Sequence, residues 1–246
     1  MSAELYTNGE YLRKNPHWHV HESPWKVDEI LHMLSRNNLF PKTICEVGCG
    51  AGEVLRLLQQ RMDVDCTFSG YEVSPQAFEI CKNKANERLH FKLADFTRED
   101  CSPYDLILLM DVVEHVEDCL SFLRAVKSKG QYKIIQLPLD ISVRAVLLGQ
   151  IPQYREKFGH FHYFTKEIAL QMLDELGYEV LDYFYTMVPT EPLPDRTNLP
   201  TFVQLKKYLG WTKRNFGRWP AQLCFVLNKD MAARILGEWR LLLLVK

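Results

Sequence analysis

The run Glu46-Val47-Gly48-Cys49-Gly50-Ala51-Gly52 sets three glycines between two acidic side chains, Glu46 and Glu53. Glycines let a backbone approach a ligand closely, and the helix that such a loop opens offers unpaired N–H groups. By itself the loop fits any nucleotide-type cofactor. Charge separates the options. A dinucleotide rests its pyrophosphate on the helix N-terminus, yet Glu53 stands where the third glycine of G-x-G-x-x-G belongs, and Glu46 sits just before the loop. S-adenosylmethionine (SAM) carries no phosphate, and its sulfonium and ammonium tolerate acidic neighbours. The loop therefore favours SAM over a nicotinamide dinucleotide.

Three further segments carry groups that could complete such a site. Glu72, in Gly70-Tyr71-Glu72-Val73-Ser74, stands about 20 residues after the loop, where an acid can accept hydrogen bonds from ribose hydroxyls. Its bland reading is a solvated strand-end carboxylate. Asp95 and Phe96 offer an acceptor for an adenine amino group with an apolar wall beside it; the competing reading of Asp95 is a turn former. Finally, Met110-Asp111-Val112-Val113-Glu114-His115-Val116 concentrates acids and a histidine. Unperturbed imidazole titrates near neutrality, which makes His115, and His160 further along, candidate general bases; a histidine in Glu-His-Val can equally cap a turn.

Strands must deliver these groups to one edge. Thr43–Val47, Cys66–Val73, Leu89–Ala94, Tyr104–Met110 and Tyr132–Leu137 read as strands, and the run Leu106-Ile107-Leu108-Leu109 suits a strand buried on both faces. Between them come helical stretches: from Pro24 to about Asn38 with Ser23 as N-cap, after Gly52, from Pro75, and over Leu120–Val126. Thr165 caps a helix to Leu176, Gly177 stops it, and Tyr178–Thr186 is a sixth strand. The alternation is that of an α/β domain with a mostly parallel sheet.

Together, Glu-Val-Gly-Cys-Gly-Ala-Gly, Tyr-Glu-Val-Ser, Ala-Asp-Phe and Asp-Val-Val-Glu-His-Val, over roughly residues 40–140, resemble class I SAM-dependent methyltransferases, of the small-molecule type. Gly159-His160-Phe161-His162-Tyr163-Phe164-Thr165 is similar to the Gly-His-x-His-x-Phe-Thr/Ser segment that leads into a late helix in many such members. The resemblance implies a Rossmann-like seven-stranded sheet with helices on both faces and an antiparallel last strand, here Trp239 to Val245. It implies SAM as methyl donor and S-adenosylhomocysteine (SAH) as product, and it carries Glu46, Gly48, Cys49, Gly50, Glu72, Val73, Asp95, Phe96 and Asp111 over as the cofactor-binding set. Candidates for the base are His115 and His160. Asp111, Glu114 and His115 also resemble the Glu-x-x-Glu-His cluster of quinone-type O-methyltransferases, which can hold a divalent cation; the shorter Asp111 argues against that, and no metal is assigned. His17, His19 and His21 would share one face of an extended segment, but metal sites draw ligands from several elements.

This organisation divides the chain into residues 1–40, a helical cover over the cofactor site; 41–187, the SAM-binding core; 188–236, a helical insertion or lid; and 237–246, the final strand of the core. The expected activity is transfer of a methyl group to an oxygen or nitrogen of a small acceptor. A catalytically inactive binding module of the same fold is the alternative. Formal charge −1 and a pI near 6.7 argue against a dedicated nucleic-acid binder. Residues 196–229 nevertheless interleave seven Lys or Arg with aromatics and hold no acid, which suits a solvated helix, an anionic or carrier-bound acceptor, or a membrane surface. Seven cysteines without a C-x-x-C, no basic-then-apolar N-terminus and no long apolar run point to a cytoplasmic protein without a membrane span.

Overall fold

The computed structural model describes Trp18, residues 20–187, Phe225, and residues 227–237 and 239–246. Seven strands form one sheet: β1 (Thr43–Val47), β2 (Thr67–Glu72), β3 (Leu89–Leu93), β4 (Tyr104–Met110), β5 (Gly130–Pro138), β6 (Val180–Thr186) and β7 (Arg240–Val245). Their spatial order is β3-β2-β1-β4-β5-β7-β6. The first five are parallel, and β7 runs antiparallel between β5 and β6. Order reverses between β1 and β4, so the crevice at the carboxyl ends of these two strands is where such a sheet binds its ligand.

The period-two alternation of the central strands sorts side chains into two cores. On one face Ile44, Phe68, Leu106, Leu108, Ile134 and Leu242 pack with α1 (Ser23–Arg36), α2 (Glu53–Arg61) and Cys81 of α3 (Pro75–Cys81). On the other, Cys45, Ile107, Leu109, Ile135, Leu241 and Leu243 pack with α4 (Cys119–Lys127) and with a helix reached further along the chain. That stretch holds α5 (Val143–Leu147), α6 (Ile151–Phe158), α7 (Lys166–Glu175) and α8 (Lys229–Leu236). Ala169 and Leu173 of α7 complete the second core. Among the described residues no helix is long and apolar enough to cross a membrane.

Local chemistry places most boundaries where the sequence does. Ser74 accepts from the Ala77 N–H and Thr165 from the Ile168 N–H, each capping its helix. Some expectations change. Ser23 is not the N-cap of α1: a 3-10 turn over Val20–Glu22 runs directly into the helix, and Ser23 is buried within it. Pro138 is the last residue of β5 and pairs with Arg240, its lack of an N–H being tolerated at a strand end. The short helices α5 and α6 have no counterpart in the sequence reading. The N-terminal cover is described from Trp18 onward, where α1 packs into the layer with α2 and only its first turn reaches the crevice. Of the 188–236 segment, α8 and its approach are described; His17, His19 and nearly all of the basic-aromatic stretch lie outside the described residues.

Candidate active site

A cavity of about 1060 Å³ opens at the carboxyl ends of β1, β2, β4 and β5. It is lined by every residue of the expected set: Glu46, Gly48, Cys49, Gly50, Glu72, Val73, Asp95, Phe96, Asp111, His115 and His160. The topology, not proximity in sequence, gathers them.

The glycine loop is used differently from a phosphate cradle. The N–H groups of Gly48 and Cys49 both donate to the Tyr71 carbonyl, at 2.8 and 3.1 Å. The Gly50 N–H donates to Glu72 Oε2 at 2.7 Å. Gly48 has φ +70, and a Cβ there would sit 2.8 Å from Val112 Cγ2, so no larger residue fits. Glu53, at the start of α2, pairs with Arg56 at 2.7 Å and Lys84 at 3.2 Å. The Gly48, Cys49 and Gly50 N–H groups are thus taken within the protein, and an acid, Glu53, stands in the first turn of the helix where a phosphate would rest.

Glu72 and Glu46 give the crevice its character. Glu72 is buried; its Oε1 accepts from both the Val73 and Ser74 N–H groups, while Oε2, which accepts from Gly50 alone, keeps a lone pair for a further donor. Burial pushes its carboxyl up, against the pull of these three N–H donors. Glu46 is also buried, and its Oε2 meets no hydrogen-bond partner. Burial pushes the Glu46 carboxyl up to about 8, with Lys26 pulling the other way. An orphaned carboxyl on a cavity wall is a group arranged for a cation or a strong donor.

Asp95 adopts its turn-forming role: Oδ1 accepts from the Thr97 N–H and hydroxyl, and Oδ2 lies 3.3 Å from Arg98. It still borders the cavity. Phe96 is 1% exposed and packs edge-on against Tyr71 at 4.9 Å, so most of its ring is spent on the core beneath the site. That limits it as a free adenine wall.

Asp111 has another primary job. At φ +59 it turns its carboxylate between Lys26 of α1 (2.9 Å) and Arg240 of β7 (3.0 Å), and Arg240 reaches Glu22 at 3.4 Å. Burial works to raise the Asp111 carboxyl, but the two cations hold it well below the usual carboxylate range. The acid-acid-histidine cluster of the sequence therefore does not assemble. Instead Glu114, His115 and His160 bring one donor atom each within 4.8 Å of one another. Glu114 is 1% exposed with Oε2 unpartnered, and burial, with Asp111 nearby, pushes its carboxyl well above its ordinary range.

The two histidines differ. His115 sits in a 3-10 turn (Val113–His115) with Nδ1 3.4 Å from the Gly159 carbonyl, and burial together with His160 pushes it down to about 3. Gly159 ends α6 at φ +83 and turns the chain so that His160 drops beside it, ring centroids 4.9 Å apart. His160 Nδ1 lies 2.6 Å from Asp140 Oδ2, just beyond β5. His162 instead bonds the Val116 and Glu117 carbonyls and clips the segment down.

Sequence reasoning missed Lys26, Arg240, Glu22 and Asp140. Their partners lie 85, 129, 218 and 20 residues away along the chain, and no local pattern marks such pairs. It also missed the aromatic wall of Tyr154 and Phe158, which belongs to α6.

Residues 19–183 match a family model described as a methyltransferase domain. Curated relatives include the ubiquinone biosynthesis O-methyltransferases of Vibrio parahaemolyticus, 26% identical over 110 residues, and Actinobacillus pleuropneumoniae, 27% identical over 116. These matches cover 42% and 43% of this chain and 44% and 47% of the relatives, so the chain covers less than half of those relatives' length. Among solved structures, the magnesium protoporphyrin IX methyltransferase of Synechocystis with bound SAH superposes with a TM-score of 0.54 at 18% identity, covering 69% of this chain and 78% of that one. A SAM-dependent methyltransferase from Archaeoglobus fulgidus gives a TM-score of 0.54 at 16% identity, covering 94% and 99%. These structures share the fold.

Proposed function

Since the chain belongs to the methyltransferase domain family, we propose that it transfers a methyl group from SAM to an oxygen or nitrogen of a small-molecule acceptor. One observation carries the reading: the loop N–H groups of Gly48, Cys49 and Gly50 are consumed within the protein, while buried Glu46, whose Oε2 meets no hydrogen-bond partner, lines the same cavity. Such a wall suits a cofactor with cationic centres and no phosphate.

In this reading Glu72 receives a ribose hydroxyl on the remaining lone pair of Oε2, and Glu46 faces the cationic end of the cofactor. Gly48 keeps the loop open. Lys26, in the first turn of α1 and paired with Asp111, is a cavity cation that would meet a cofactor carboxylate. Asp95 and Phe96 border the adenine end. Bound SAM would supply a sulfonium methyl and depart as a neutral thioether. The protein's own task is alignment and exclusion of water, with a base where the acceptor is a hydroxyl. His115 and His160, with Leu139, Tyr154 and Phe158, line the part of the cavity left for the acceptor. The anionic or carrier-bound acceptor expected from residues 196–229 rests almost wholly on undescribed residues. Titration calorimetry with SAH tests the core of the reading: micromolar or tighter binding is expected, and no heat with either SAH or SAM would sink it.

A further inference from the structure

Resting on that methyl-transfer reading, we propose that Asp140 is the positioning residue that fixes His160 in the tautomer with its lone pair on Nε2, making His160 rather than His115 the base for a hydroxyl acceptor. An ionised carboxylate only accepts hydrogen bonds, so at 2.6 Å from Asp140 Oδ2 the His160 Nδ1 must carry the proton. This leaves Nε2 as the acceptor atom. Both side chains line the cavity, with His160 8% exposed.

The surroundings hold this pair in place from several directions. Asp140 follows β5, and the ring of His160 is flanked by His115 and Glu114 of the turn after β4, and by Phe158 and Tyr154 of α6 at 5.6 and 6.4 Å. On either side in sequence, Gly159 ends α6 and the Phe161 N–H donates to the Glu114 carbonyl at 2.7 Å. His115 is held differently: its Nδ1 faces the uncharged Gly159 carbonyl at 3.4 Å, and the Glu114 carboxyl lies 3.9 Å from its Nε2, beyond hydrogen-bond distance. A carboxylate stabilises the imidazolium that forms on proton uptake, and a carbonyl does so far less.

His160 Nε2 takes the hydroxyl proton while the freed oxygen pair closes on the methyl carbon and the carbon–sulfur pair returns to sulfur. The positive charge moves from sulfonium to the His160 imidazolium beside Asp140.

Nitrogen-15 NMR of histidine-labelled protein, with His160→Gln to assign the signal, reads the tautomer directly. Wild type is expected to show Nδ1 protonated and Nε2 unprotonated; in Asp140→Asn protonation should shift toward Nε2. With catechol as the probe acceptor, Asp140→Asn should lower kcat by about 100-fold while SAH affinity, by calorimetry, stays within about twofold. Asp140→Glu should recover part of the rate and restore the wild-type nitrogen signature. A wild-type His160 already protonated on Nε2, an unchanged signature in Asp140→Asn, or turnover that chelation abolishes and Mg²⁺ restores would overturn the proposal. Loss of SAH binding in the wild type would instead overturn the methyl-transfer reading, leaving the tautomer result to be judged by itself.

Discussion

At the scale of single residues, the acids at the crevice differ because their partners differ. Asp111 has two cations, Glu72 three backbone N–H groups and Glu46 an oxygen with nothing, which is why burial lifts Glu46 to about 8. A cationic ligand favours the carboxylate form of Glu46. Its affinity should therefore be highest above pH 8 and weaken as pH falls through that value, by up to about tenfold per unit. SAM titrations from pH 6 to 9 check this, and Glu46→Gln should flatten the profile; a wild-type affinity independent of pH would refute the assignment. In the unliganded protein the sign reverses. A carboxyl raised from 4.5 to about 8 loses folding stability as pH rises between these values. Glu46→Gln should accordingly be more stable than wild type at pH 8, by about 1–3 kcal/mol, in urea titrations. Gly48→Ala meets both a positive φ and the Val112 side chain, so it should abolish SAH binding while the fold persists by circular dichroism.

At the scale of elements, α1 is tied to the sheet by charge as well as packing. Val27, Ile30, Met33 and Leu34 bury its apolar stripe, while Lys26 in its first turn and Glu22 just before it meet Asp111, which follows β4, and Arg240 of β7. Removing the shared carboxylate leaves two cations without their main partner in a poorly solvated place. Asp111→Ala should destabilise the protein by about 3 kcal/mol, read as a lower urea midpoint. Proteolysis should then cut first at the N-terminal side of α1. If stability is unchanged but SAH affinity collapses, Asp111 is a cofactor ligand first and a tether second. Helix α6 works on the other side of the cavity: Gly159 stops it and the turn that follows delivers His160. Its amphipathic pattern spans only eight residues, too short a window for a helical period to stand out, which is why the element escaped notice.

At the scale of the whole molecule, cofactor choice is a property of the entire crevice. Ligand binding to the native state alone raises stability by about 2.7 kcal/mol at 100 times Kd. For a chain of this size SAH should then raise Tm by about 5–10 °C. NADH, whose pyrophosphate would meet Glu53 in the first turn of α2, should leave Tm unchanged; a shift with NADH and none with SAH would reverse the reading. Two separate cores, one per sheet face, make the sheet a rigid base, so the carboxyl-end loops can vary without disturbing it.

Local chemistry in the chain determined most of the frame. Alternation in runs such as Leu106–Leu109, caps at Ser74 and Thr165, and glycines at 48, 50 and 52 act over a few residues, so the strands, the helices between them and the loop could be read directly. The same is true of the acids at strand ends, because their positions follow from the ends of those strands. Tertiary structure alone decided what each acid does. The withdrawal of Asp111 to Lys26 and Arg240, the orphaning of Glu46 and the pairing of Asp140 with His160 depend on side chains brought together by a sheet whose order differs from chain order. Charge interactions and desolvation act through space, and burial sets their strength; neither leaves a periodic trace in the sequence.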